Sequence, residues 1–279
     1  AGIKAPRFYG FLAAGYRDTT AQRARLERVI GVLAIVVIPI AVSVHTVIGW
    51  IFALTLRPMW HSTIFGPYFV MGAIYSGIAA LLIAMVVLRR VYRLHEYFRP
   101  VHFDYMGRLL LVFSLLWFYF TFAEYLTAFY GGEPSEMRAF WAKVRGPFAV
   151  PFWTMVVSCF VIPLGLMCRK ATRTPRGTLI ASVAVVIGMW LERFNIVVPT
   201  SVNPRFEFES AGHYFPSWVE LSIMAGTLSG FILLYMVATK FFPIISIWEM
   251  REGRETSVRE VAERVAGYLP PEPVGEATA

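Results

Sequence analysis

Long apolar runs separated by short charged segments set the pattern of this chain. Six runs stand out: roughly Val29–Leu54, Tyr68–Leu88, Leu109–Tyr130, Phe148–Cys168, Leu179–Val198 and Leu221–Phe242. Each approaches or exceeds the ~20 residues that a helix needs to cross a bilayer. A soluble domain would have to bury all six in one core. The pattern therefore predicts an all-α fold, a polytopic membrane helix bundle with six transmembrane helices. It divides the chain into a basic N-terminal segment (1–28), the transmembrane domain (29–242) and a tail (243–279) whose stretch SVREVAERVAGYL reads as a surface helix. Pro39 and Pro163 fall inside runs and predict kinks with freed carbonyls. Pro67, Pro147, Pro199 and Pro243 fall near run ends, where proline is tolerated or stops a helix. Small residues at four-residue spacing, Gly72 with Ser76 and Ser222 with Gly226 and Gly230, predict close helix contacts.

Composition agrees: 57% of the 279 residues are hydrophobic and 16% charged. The net charge of +8 would suit nucleic acid if it were spread over one surface. Threading six helices instead puts 20 of the 26 Lys and Arg residues on one side, in segment 1–28, the second and fourth connections and the tail. The other side receives Arg57, Arg138, Lys143, Arg145 and Arg205, and Arg193 lies within a run. By the positive-inside rule both ends are expected in the cytoplasm, with lipid and no nucleic acid as the partner of the basic loops. Cys159 and Cys168 lie nine positions apart on one helix, about 13 Å along its axis, too far for a disulfide. One His embedded in a run and two unpaired Cys exclude bis-histidine haem and iron–sulfur ligation, so no cofactor is expected on the chain's own side chains.

Ionisable residues inside the runs are the candidate chemistry: His45 on the first helix, Glu124 on the third, Glu192 and Arg193 on the fifth. Such groups are costly in lipid and by default face the bundle. Counting from the helix ends places His45, Glu124 and Glu192 in one layer, roughly 10–14 Å below the outer surface. Glu192 shares a face with Gly188 and Asn195, and Glu124 with Trp117 and Thr121. Arg193 sits about 100° round from Glu192, so it is expected to snorkel outward or to pair with a carboxylate on another helix. Together these four residues suggest a proton-transfer route. Plain helix–helix bonding is the alternative for each, and Tyr125, Tyr119 and the Trp residues read as belt or packing groups. In the outer loops, Leu56–Gly66 and Gly131–Gly146, the cluster Arg57, Trp60, His61 reads either as a partner-docking surface, Arg and aromatics being enriched at interfaces, or as an interfacial anchor belt.

The stretches SVHTVIGWIFALTLRPMWHSTIFGPYFVMGAIYSG and GMWLERFNIVVPT resemble the NrfD/polysulfide-reductase membrane-subunit family, especially its members in alternative complex III. The resemblance runs from about Phe8 to Glu252 and covers the later part of such proteins. It implies a cofactor-free subunit of a respiratory quinol-oxidising complex, with quinone or quinol as the substrate of the complex. It also implies an iron–sulfur subunit docked on the outer face, other membrane subunits including a homologous NrfD-like one, and cytochrome c subunits. The same buried charges would serve a proton- or ion-coupled transporter subunit, and a purely structural anchor is the third reading.

Overall fold

In a computed structural model the described residues are 10–17, 19–53, 58–203 and 214–242, with the isolated positions 253, 258 and 261. Arg57, the loop 204–213 and the tail helix expected over 257–269 lie outside them, apart from Val258 and Val261. The described residues contain six helices long and apolar enough to cross a membrane. The helices are α1 (Thr20–Ala53), α2 (Phe65–Val91), α3 (Pro100–Gly131), the short α4 (Pro134–Val144), α5 (Ala149–Val156), α6 (Ile162–Met167), α7 (Pro175–Val202) and α8 (Trp218–Phe241). α5 and α6 are one span, Ala149–Met167, broken by a π-turn at Val157–Val161.

The helix ends follow local chemistry. Proline opens α3, α4 and α7, where its missing N–H costs nothing. Thr174 caps α7 by accepting from the Gly177 amide at 3.2 Å. Ser217 and Glu220 cap α8 reciprocally. Gly132 ends α3 with φ 64°, the left-handed conformation that suits glycine. Pro199 was expected at a helix end, but α7 runs through it to Val202.

The chain divides into two compact units, Arg23–Tyr214 and Ala1–Gln22 with Phe215–Ala279. The second contains α8, whose described residues are exposed or half-buried and mostly apolar. The first contains the core, a four-span bundle in which α2 packs on α3 and α7, and the broken fourth span packs on α3 and α7. α1 stands at its edge and touches α2 near one end, where Gly66 faces Thr46 and Gly49 faces Phe69. Fully buried Phe65, Tyr75, Leu82, Leu110, Trp117 and Val185 fill the bundle, while Leu81, Leu115, Ile180 and Ile187 point outward. An apolar rim around a packed interior is what a lipid-facing bundle requires.

The break in the fourth span has a covalent cause. Pro163 has no N–H to give the carbonyl of Cys159, four residues earlier. That carbonyl instead accepts from Tyr75 Oη of α2 at 2.8 Å and Ser114 Oγ of α3 at 2.9 Å. From the remaining side, α7 approaches so closely that a Cβ on Gly188 would lie 2.5 Å from Cys159 Sγ. Cys159 is buried, Cys168 exposed, and both are free thiols.

Candidate functional site

The inner face of α3 carries Ser114, Trp117, Thr121 and Glu124, spaced by three or four residues and all buried. The facing stripe of α7 carries Thr178, Ser182, Gly188, Glu192, Asn195 and Thr200, also buried. These stripes form a polar column through an otherwise apolar bundle.

At its centre Glu192 is 1% exposed, and its Oε1 accepts from the Trp117 indole N–H at 2.7 Å. Its Oε2 has Arg193 Nη1 at 3.4 Å. The two adjacent side chains therefore do meet, contrary to the helical-wheel expectation. The arginine chain is long enough to fold back, and its guanidinium lies 4.0 Å over the Phe69 ring of α2. Gly72 makes room for this: a Cβ there would lie 3.1 Å from Arg193 Nη2 and 3.4 Å from Glu192 Oε2. The close contact expected at Gly72 is thus the seat of the Glu192–Arg193 pair.

Two phenols neighbour the carboxylates. The Tyr68 hydroxyl faces both Glu192 and Thr121, and Tyr125 is near enough to Glu124 and Glu192 to feel both charges. Glu124 is 4% exposed and accepts from the Ser62 hydroxyl. His45 stands apart from these groups. It is half-buried in an apolar groove between α1 and α2, lined by Val37, Ala41, Val70 and Ala73, and its Nδ1 donates to the Ala41 carbonyl at 2.8 Å. The expected link from His45 to the carboxylates is not formed: α1 lies at the bundle's edge and turns this ring toward α2's outer side.

The column ends under a cap made by residues 58–62 and α4. Trp60, expected on a docking surface, is 4% exposed. Met59 and Trp60 have φ of 67° and 66°, a region that costs a non-glycine residue about 1–2 kcal/mol. This turn folds the indole inward onto Tyr68, with ring planes 5° apart and centroids 6.0 Å apart. Strain of this kind persists where surrounding contacts over-determine it, which is common at functional sites. His61 does reach the surface, its side chain 57% exposed, and pairs with Glu136 of α4 at 3.1 Å. Fully buried Lys143 also belongs to this cap, with its Nζ 4.5 Å over the Trp60 ring. The one sign of it in the sequence is that Ser135, Ala139 and Lys143 recur every four residues in a short helix, on one face.

Some of the buried polar atoms without a hydrogen-bond partner among the described residues lie on this column and its cap: Ser182 Oγ, Asn195 Oδ1 and Trp60 Nε1, while Glu192 Oε2 and Arg193 Nη1 have each other at 3.4 Å. Groups of this kind are what internal water satisfies. Among the described residues no cluster of three His, Cys, Asp or Glu side chains is arranged to hold a metal ion.

The fold and this column define an integral, multi-pass membrane protein with a polar interior. The model of the polysulphide reductase, NrfD family matches residues 9–204, and the chain belongs to that family. Three similar proteins are a candidate dimethyl sulfoxide reductase membrane subunit from Halobacterium salinarum (26% identical, 81% of this chain and 56% of that protein), a selenate reductase subunit from Mesobacillus selenatarsenatis (25%, 90% and 61%) and the Hdr-like menaquinol oxidoreductase integral membrane subunit from Archaeoglobus fulgidus (26%, 80% and 58%). The chain spans about three fifths of the length of these relatives.

Proposed function

We propose that this chain is a membrane subunit of a quinol-oxidising electron-transfer complex and that its polar column conducts protons. The observation that carries the proposal is the succession Glu192, Trp117, Tyr68, Thr121, Tyr125, Glu124 and Ser62, buried except for half-buried Tyr125 and Ser62 and set in a four-span bundle of the NrfD family. Oxidising a quinol to a quinone releases two electrons and two protons, and the protons need titratable acceptors in an apolar setting. Glu192 and Glu124 provide two such acceptors, and the neighbouring phenols and hydroxyls can pass protons through water. Arg193 balances the charge of Glu192, and the indole of Trp117 fixes its orientation. The electrons would pass to an iron–sulfur subunit at the capped end, where His61 and α4 face outward; additional membrane subunits and cytochrome c would complete an assembly like alternative complex III. The basic loops favour both ends of the chain inside, and the membrane would be the cytoplasmic membrane of a bacterium. A relative described as a menaquinol oxidoreductase integral membrane subunit supports the quinone link.

The test is Glu192→Gln in the complex purified with its partner subunits. The amide keeps the size and the acceptor for Trp117 but cannot carry a proton. Quinol-driven turnover should fall by about 10²-fold or more, with the same partners still co-purifying. Turnover at the wild-type rate would reduce Glu192 to a packing residue and overturn the conducting role.

A further inference from the structure

Lys143 takes no part in the reading above, yet it is the most thoroughly enclosed cation among the described residues, 0% exposed. It lies on α4, outside the spans, on the face that also buries Ser135, Glu136 and Ala139. Its Nζ meets the Met59 thioether at 3.4 Å and two ring faces, Trp60 at 4.5 Å and Tyr125 at 5.6 Å. A thioether is a weak acceptor, so an ammonium here has given up its hydration for little in return. Glu124 is the carboxylate whose charge it feels.

The neighbouring loop reaches each group in turn. Met59 and Trp60 touch Lys143, His61 pairs with Glu136, and Ser62 donates to Glu124. Four consecutive residues thus connect the end of the buried column to a side chain at the surface. The titratable and charged groups around Lys143 are Glu124 and Tyr125 of α3, His61 of the loop, and Glu136 of its own helix. The indole N–H of Trp60, buried and without a hydrogen-bond partner, is an additional donor in the same enclosure.

We propose that Lys143 is the last proton carrier of the column, receiving from Glu124 and releasing to the surface beside His61 and Glu136. The inference rests on the proton-conducting reading given above. Neutral Lys143 takes the proton of the Glu124 carboxyl, leaving a carboxylate and an ammonium. The ammonium then loses that proton to the His61 imidazole or to surface water, and Glu124 is reprotonated from the column. One proton crosses the cap and both groups return to their starting forms. Burial lowers the Lys143 pKa to about 7, the charge of Glu124 acting in the opposite sense, so both forms of the amine are populated near neutrality.

The test compares the wild-type complex, purified with its partner subunits, with Lys143→Met and Lys143→Arg. One readout is quinol-driven turnover across pH. The other is an infrared pH titration of the protonated Glu124 carboxyl band, assigned by its loss in Glu124→Gln, which requires no turnover. We expect Lys143→Met to lower turnover roughly 10- to 100-fold and to remove the limb near pH 7. Lys143→Arg should not rescue it, because a guanidinium does not release its proton. The Glu124 band should titrate about half a pH unit or more away from its wild-type midpoint in Lys143→Met. Wild-type turnover and profile in Lys143→Met, or an unmoved Glu124 band, would overturn the proposal. A wild-type complex without quinol-driven turnover would sink the quinol reading instead, and the infrared titration alone would then decide the role of Lys143. If Lys143→Met does not assemble at wild-type yield, Lys143→Gln takes its place in both readouts.

Discussion

Replacing Trp117 with Phe removes the donor that holds Glu192 and keeps an aromatic ring at this fully buried position. The bond is short, 2.7 Å, between groups 0% and 1% exposed. A hydrogen bond to a charged partner contributes about 1.5–3 kcal/mol in soluble proteins. Bonds between helices in a bilayer average nearer ~0.6 kcal/mol and reach ~1.7, because the unfolded spans also find partners. A charged acceptor with this geometry belongs at the upper end of the bilayer range, about 1.5 kcal/mol, or roughly tenfold in the folding equilibrium. The smaller ring also leaves a void, so the single substitution will cost more than the bond. A double-mutant cycle with Glu192→Leu removes that extra cost, since the void is present with and without the carboxylate. Reversible unfolding of the detergent-solubilised chain by a denaturing detergent gives the four stabilities. A coupling of about 1–1.5 kcal/mol supports the bond. Additivity within ~0.3 kcal/mol, the scatter expected of independent sites, would mean that Trp117 does not hold Glu192 and that the column is misread at its centre.

Two further predictions concern packing and pH. Gly188→Ala places a methyl 2.5 Å from Cys159 Sγ and should destabilise the bundle by about 1–3 kcal/mol, read as a lower midpoint in the same unfolding assay; an unchanged midpoint would contradict the α7 crossing. The Lys143 pKa is lowered from 10.5 to about 7, so between these values the unfolded chain binds the extra proton. Stability should therefore rise as pH climbs from about 7 toward 10.5, and Lys143→Met should flatten that rise in melting curves taken across the window.

The spans were legible because a bilayer imposes one length and one polarity on every crossing, and the run of apolar residues reports both. The inward faces of Glu192 and Glu124 were legible for a related reason: helical spacing groups Glu192 with Gly188 and Asn195, and all three are buried. Arg193 escaped because a wheel projects Cα positions and says nothing of how far a long side chain can fold back. His45 escaped because depth along an axis does not reveal whether a helix is central or peripheral, and α1 is peripheral. Trp60 lies in a short connection, and short connections usually are exposed. Its burial depends on two consecutive left-handed residues, and nothing in the pair Met59–Trp60 announces that conformation. Lys143 looks like a loop charge in the sequence, since α4 is too short and too polar to register among the runs. The group nearest the exit of the column was therefore the least visible in the sequence.

The carbonyl of Cys159 has a consequence for how the protein is made. Spans enter the bilayer in chain order, so α2 and α3 are in place before the fourth span arrives. Tyr75 and Ser114 then carry hydroxyls whose shared acceptor has not yet packed against them. The break at Pro163 supplies that acceptor, and with one peptide group it ties the newcomer to both earlier helices. α7 comes next and lays Gly188 against the same residue. A single proline thus sets a joining point in the biogenesis of the bundle, where three spans are fastened before the helix bearing Glu192 is added.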